Sequence, residues 1–219
     1  MATLTLARLV RWFGLMLYLG FASVAWSAAD VGLINQMQGE VNYQGGGAAT
    51  RATPFMKVRE GDRFSVAEGA LLRVVYFDGG RQETWKGPAV FKAGSRQGEA
   101  AVGRPEVSQV PGGAPAKLAQ TAEVIQIAKL GRAGGVTVRG IKTQQLSASQ
   151  SAEVASAKKT YEAWRATAAS DDITPELYLY TVLDSHMMYE DMKSVVKAMQ
   201  ERQPGNQEVK ELAAWVSGR

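Results

Sequence analysis

Apolar residues recur along this chain with two different periods, and the change between them divides it. From Val31 to about Gly103 they fall in short runs cut by glycine, whereas from Ser149 onward they step by three and four. The first pattern belongs to partly buried strands and the second to amphipathic helices. Six runs predict strands: Val31 to Asn35, Glu40 to Tyr43, Arg63 to Val66, Ala70 to Phe77, Gln82 to Trp85 and Ala89 to Lys92. Such short, glycine-punctuated runs predict an antiparallel roll or sandwich. Asp78-Gly79 is a hairpin signal, because the favoured two-residue turn needs positive φ at both central positions. Within Ala70 to Phe77, Leu72, Val74 and Tyr76 alternate with Leu71, Arg73, Val75 and Phe77, so this strand is expected to be buried on both faces, with Val74 in the core.

Residues 94–116 are rich in Gly, Pro, Ala, Ser and Gln and read as a surface connection. Lys117 to Leu130 predicts a short helix closed by Gly131 and Gly134-Gly135, and Val136-Thr137-Val138 suggests one more strand. Four helical stripes follow. They are Val154, Ala157, Tyr161, Trp164 and Ala168; Leu177, Tyr180, Leu183 and Met187; Met188, Met192, Val195, Val196 and Met199; and Val209, Leu212, Ala213 and Val216. Thr174 before Pro175 predicts a helix start, and Pro204-Gly205-Asn206 predicts a break with Asn206 capping the last helix. The fold class is therefore α+β: an antiparallel β roll or sandwich followed by a C-terminal helical bundle. The division is residues 1–29 as an export signal, 30–103 as a β domain, 104–148 as a connector with a short helix and a strand, and 149–219 as a helical domain.

The first of these parts rests on Arg8 and Arg11 ahead of an uncharged run from Trp12 to Ala29, the layout of a secretory signal. Small residues at Ser27, Ala28 and Ala29 predict cleavage between Ala29 and Asp30, with cleavage after Ser27 as the alternative. The strongly apolar part falls short of the roughly 20 residues that cross a bilayer as a helix. Retention as an N-terminal anchor is the competing reading, and membrane contact follows only from it. No cysteine follows the run, so attachment of a lipid to a processed cysteine is excluded.

Charge and chemistry narrow the function classes. Loss of Arg8 and Arg11 with the signal lowers the net charge from +4 to +2, and the basic residues are dispersed among acids, so no nucleic-acid partner is expected. With no cysteine there is no disulfide and no thiolate metal site. His186 is the single histidine; its place near a helix end suits a C-terminal cap. Asp62, Asp78 and Glu83 could supply a two-carboxylate pair, but Asp62 and Asp78 adjoin glycines in turns, where Asp bonds its own backbone. Gly45-Gly46-Gly47 and residues 131–135 lack the Lys-Ser/Thr of a phosphate loop and read as plain loops. Trp85 beside Lys86 could stack on a sugar or peptide, and Met187, Met188, Met192 and Met199 could line an adaptable groove; core packing is the simpler role for both sets. No catalytic residue, metal or cofactor is expected.

Gly61-Asp62, Gly69, an apolar strand ending in Phe77-Asp78-Gly79, and Gly87-Pro88-Ala89-Val90 together resemble the periplasmic domain of the FecR-like (iron-dicitrate sensor) family, with Gly39-Glu40-Val41 fitting its first strand pair. The resemblance spans roughly Val31 to Ala93. It implies a β fold outside the inner membrane. Members that regulate transcription add a cytoplasmic helical segment, which the residues before Trp12 are too few to supply, so the chain is more similar to exported proteins carrying the domain as a stand-alone module. The helical pairs and the Pro204-Gly205-Asn206 link resemble tetratricopeptide repeats, about two of them, and such units need neighbours to stack on. The expectation is a noncatalytic periplasmic protein of the bacterial envelope that acts as a protein-binding scaffold or adaptor with an envelope protein as partner. The alternative is a module binding peptidoglycan or another cell-wall polysaccharide through the β domain. The ligand-binding residues are unknown at this level.

Overall fold

The structure, a computed structural model, describes residues 28–133 and 146–218, with backbone only for 128–133. Residues 1–27 of the export signal expected over 1–29 and the strand expected at Val136-Thr137-Val138 lie outside the described residues, as does Gly134-Gly135. The described part is α+β: two antiparallel five-stranded sheets followed by five helices.

The first sheet contains β1 (Asp30–Gln38), β4 (Lys57–Arg59), β6 (Leu71–Tyr76), β7 (Arg81–Lys86) and β10 (Glu106–Gln109), ordered β10-β7-β6-β1-β4. The second contains β2 (Val41–Gln44), β3 (Thr50–Arg51), β5 (Arg63–Val66), β8 (Ala89–Ala93) and β9 (Gly98–Val102), ordered β3-β2-β5-β8-β9. The chain changes sheet at Gly39, whose φ of +77° is one that a side chain would strain, and where a Cβ would stand 2.9 Å from that of Ala70. Between β6 and β7 the positive-φ pair is Gly79-Gly80, one residue later than Asp78-Gly79 suggests.

The six expected strands are present with small shifts at their ends, and four more join them. Two of the four, β9 and β10, lie in or beside the stretch read as a connector. They bury no side chain, so no alternation of apolar and polar residues announces them. Strand β6 is buried on both faces as expected, and its alternation serves two different cores. Leu72, Val74 and Tyr76 join Ile34, Phe64, Trp85 and Phe91 between the sheets. Val75, with Leu33 from β1, points the other way, into a core shared with the helices.

Those helices are α1 (Ala114–Ala133), α2 (Ala148–Arg165), α3 (Thr174–Ser185), α4 (Tyr189–Arg202) and α5 (Gln207–Ser217). The last four match the four stripes. The first is longer than the segment Lys117 to Leu130 and runs through Gly131, which therefore does not end it. It packs against α3, α5 and β1, closing the array onto the first sheet. Ser147 caps α2 in a reciprocal box with Gln150, and Asn206 caps α5 by accepting from Glu208 N at 3.0 Å and Val209 N at 3.3 Å. Thr174 is not a side-chain cap: Asp172 Oδ1 accepts from Thr174 N at 2.9 Å, and the Thr174 hydroxyl bonds both Asp172 and, on the sheet, Gln82 Oε1 at 3.2 Å. Met187 also leaves its expected stripe, standing half exposed at φ +54° in the α3–α4 turn. Leu118, Leu177, Leu183, Val196 and Leu212 complete the helical core with Leu33, Phe55 and Val75. The helices thus bury their apolar faces on their own β part, rather than standing as a separate unit.

Candidate functional site

Where helices meet the first sheet, the contact is polar at its centre. Asn35 and Gln36 of β1, Arg73 of β6, and Gln82 and Thr84 of β7 are buried there, facing the loop between α2 and α3. Gln82 Nε2 donates to Asp172 Oδ2 at 2.8 Å, and Gln36 Nε2 donates to Asp171 Oδ2 at 2.8 Å. Arg73 donates from Nε to Thr84 Oγ1 at 2.9 Å and from Nη1 to Gln36 Oε1, with Asp172 at 3.7 Å and Asp171 at 3.8 Å. Asn35 Nδ2 reaches Gln82 Oε1 at 3.3 Å and the Thr174 hydroxyl. A buried guanidinium is tolerable because carboxylates and neutral acceptors meet it on several sides.

The loop is held from the helical side as well. Glu176, fully buried, accepts from Arg165 Nη1 at 3.1 Å and Arg202 Nε at 2.9 Å. Arg165 also donates to the carbonyls of Ala168, Ala169 and Asp172, and Arg202 to that of Ser170. Burial is the main cause that raises the Tyr161 phenol above its ordinary range, with Glu176 beside it adding to the effect.

Beside this joint a groove of about 300 Å³ runs between the α2–α3 loop and β10. Arg73, Gln82, Thr84 and Asp172 line its depth, Trp164 and Thr167 one wall, and β10 itself the other. Among the described residues strand β10 pairs only with β7, and β9 only with β8, so both lie at sheet edges. No described residue forms a ladder with their outward backbone groups, which is the feature that lets a sheet accept another strand. Val107 and Val102 on these strands are 49% and 51% exposed.

The residues singled out from the sequence fall elsewhere. Ala29 and Asp30 open β1: Glu60 N donates to Ala29 O at 3.2 Å, and the Asp30 carboxylate pairs with Lys57 at 3.0 Å and Arg59 at 3.3 Å. Lys57 is held above its usual range chiefly by these bonds to Asp30 and Glu123. His186 is the C-cap of α3, and its Nε2 stands 3.2 Å from Glu153. Hydrogen bonding and charge from Lys117 hold the Glu153 carboxyl low, with His186 a smaller cause.

Asp62, Asp78 and Glu83 do not share a site. Asp62 accepts from Arg59 N at 2.7 Å in its turn, and burial pushes its carboxyl up. Asp78 pairs with Arg96 on the surface. Glu83 is buried in the sandwich, accepting from Arg81 at 2.6 Å, Gly98 N at 3.0 Å and Trp85 Nε1 at 3.1 Å. Trp85 is itself core, stacked on Phe91 with centroids 4.1 Å apart, and cannot meet a ligand. Met192 and Met199 are core too. Among the described residues no group of three or more His, Asp or Glu side chains is placed to hold a metal, and no helix is long and apolar enough to cross a membrane.

The joint and the free edges were not singled out by sequence reasoning. The joint did leave a signal: Asn35, Gln36, Arg73, Gln82 and Thr84 interrupt strands that are otherwise apolar at those depths. No protein-family model, curated protein or solved structure matches the chain.

Proposed function

We propose that this chain is a noncatalytic, exported bacterial envelope protein that acts as a scaffold or adaptor, taking an extended segment of an envelope protein onto the β10 edge. In this reading the β part is of the FecR-like kind, the helices are akin to tetratricopeptide repeats, and the protein works in the periplasm after cleavage beside Ala29. The observation that carries the reading is the β10 edge, unpaired among the described residues, with a groove beside it. An added strand would satisfy the open backbone groups and direct alternate side chains toward Trp164 and Thr167. The helices support the edge from behind, since the joint ties the α2–α3 loop to the strands next to β10.

The test is a photo-crosslinking residue at Val107 in the full chain, expressed in the cells that encode it, with the same residue at exposed Glu162 as control. One protein trapped from Val107 and not from Glu162, together with slowed amide exchange at residues 106–109 in the purified complex, is the expected result. A trapped partner that leaves exchange at those amides unchanged would refute strand addition. Recovery on purified sacculi with no protein partner would favour the alternative, a cell-wall polymer binder.

A further inference from the structure

The two faces of the sandwich differ in a way the adaptor reading does not use. Helices cover the first sheet, whereas the outer face of the second sheet carries no element of the described chain. Cross-strand register places Gln44, Arg63, Lys92 and Glu99 in one row across that face, and Arg51, Asn42, Ser65, Val90 and Val102 in the row beside it. Apart from the two valines, these side chains are polar or charged, and all are exposed.

At the centre, Arg63 and Lys92 stand directly opposite each other on β5 and β8. Like charges in that position destabilise a sheet, and here no acid lies between them. Among the described residues Arg63 has no ion-pair partner, and Lys92 has only Glu99 at 3.9 Å on the far side. Arg51 donates to the Gly39 carbonyl, and Glu40, just before β2, accepts from Asn42 at 3.2 Å. Arg63 and Lys92 thus sit on the central strands β5 and β8, while Arg51 and Glu99 lie on the edge strands.

We propose that this face binds an anionic polysaccharide. The opposed pair supplies the charge, and Asn42, Gln44 and Ser65 supply donors and acceptors at the spacing of neighbouring strands, about 4.8 Å. The exposed valines suit the apolar faces of sugar rings. A strip crossing five strands fits an extended polymer better than a small anion. None of the outward side chains is aromatic, which removes the stacking platform that single-stranded nucleic acid uses. The site is separate from the β10 edge, so one can fail without the other.

Calorimetric titration of the full chain with polygalacturonate, with neutral dextran as control, tests the proposal. Binding to polygalacturonate alone is expected, weakening as salt rises. Arg63→Ser with Lys92→Ser should weaken it by about tenfold, the size of a 1.4 kcal/mol loss. The melting temperature of that variant should hold or rise, because the repulsion goes with the charges. Absence of binding, equal binding to dextran, parent-like affinity in the double variant, or tighter binding to phosphatidylglycerol vesicles or single-stranded DNA would each overturn the proposal. Crosslinking at Val107 should be the same in parent and variant.

Discussion

Asp172 is the residue on which the union of sheet and helices depends, and Asp172→Ala tests that dependence. Its carboxylate accepts from Gln82 Nε2 across the joint and from the backbone N–H and hydroxyl of Thr174 at the start of α3. After truncation, Gln82 Nε2 and Thr174 N are buried donors with no acceptor, and each such donor costs about 1–3 kcal/mol. Arg73 retains Thr84, Gln36 and Asp171, so its share of the loss is small. The expected total is about 2–6 kcal/mol, a large fraction of the roughly 5–15 kcal/mol that holds a domain together. Asp172→Asn keeps one acceptor oxygen and should lose less. Urea unfolding followed by tryptophan fluorescence and by far-ultraviolet circular dichroism reads both quantities. In the parent the two signals should coincide, because the helical core includes Leu33, Phe55 and Val75 of the β part. In Asp172→Ala the midpoint should fall. A loss under about 0.5 kcal/mol, the scale of ordinary surface substitutions, would refute the assignment of Asp172 to the joint.

Val74→Asp places a charge among Ile34, Phe64 and Trp85 and should cost several kcal/mol on the order of the whole stability; an unchanged melting temperature would contradict the register of β6. A chain ended after residue 140 loses α2 to α5 and with them most of the core that Leu33 and Val75 share, so it should melt lower than the full chain or fail to fold, and a truncation with the parent's melting temperature would show the β part to be independent of those helices. Asp62→Asn removes a carboxylate whose burial raises its pKa, a group whose stabilising contribution is present at low pH and lost as pH rises. The variant should therefore gain most over the parent at neutral pH, with the gain shrinking toward pH 4; a gain that grows on acidification would reverse the sign. His186→Ala should leave partner capture at Val107 intact, since the ring touches Glu153 and not the groove, and loss of capture in a folded variant would refute this.

What could be read in advance was what burial writes into sequence. Leu72, Val74 and Tyr76 alternate with Arg73 and Val75 because each set faces a different core, and that alternation is visible without coordinates. The helical stripes are visible for the same reason, down to the cap at Asn206. Strands β9 and β10 were illegible because they are held by backbone pairing to β8 and β7 while their side chains face solvent, so composition there follows the surface and mimics a linker. Helix α1 was underestimated because Gly131 looks like a stop, although glycine inside a helix costs only about 1 kcal/mol against alanine, which packing on α3 and α5 can offset.

The polar joint was half legible, and the half that was missing is instructive. Arg73 stands out in Leu71 to Tyr76 as a charge where the pattern demands an apolar residue, and Gln82 and Thr84 repeat the anomaly on β7. Asp171 and Asp172 look like ordinary loop acids. Only the fold brings them within reach, more than eighty residues away in the chain. A misplaced charge in a buried strand thus points to a partner segment without naming it, and the partner is whichever loop brings acceptors to that depth. The β10 edge lies beside this joint, since residues of both line one groove. The polar contacts that dock the helices therefore also shape one wall of the groove, so a substitution at Asp172 that leaves the chain folded should alter partner capture at Val107 as well as stability.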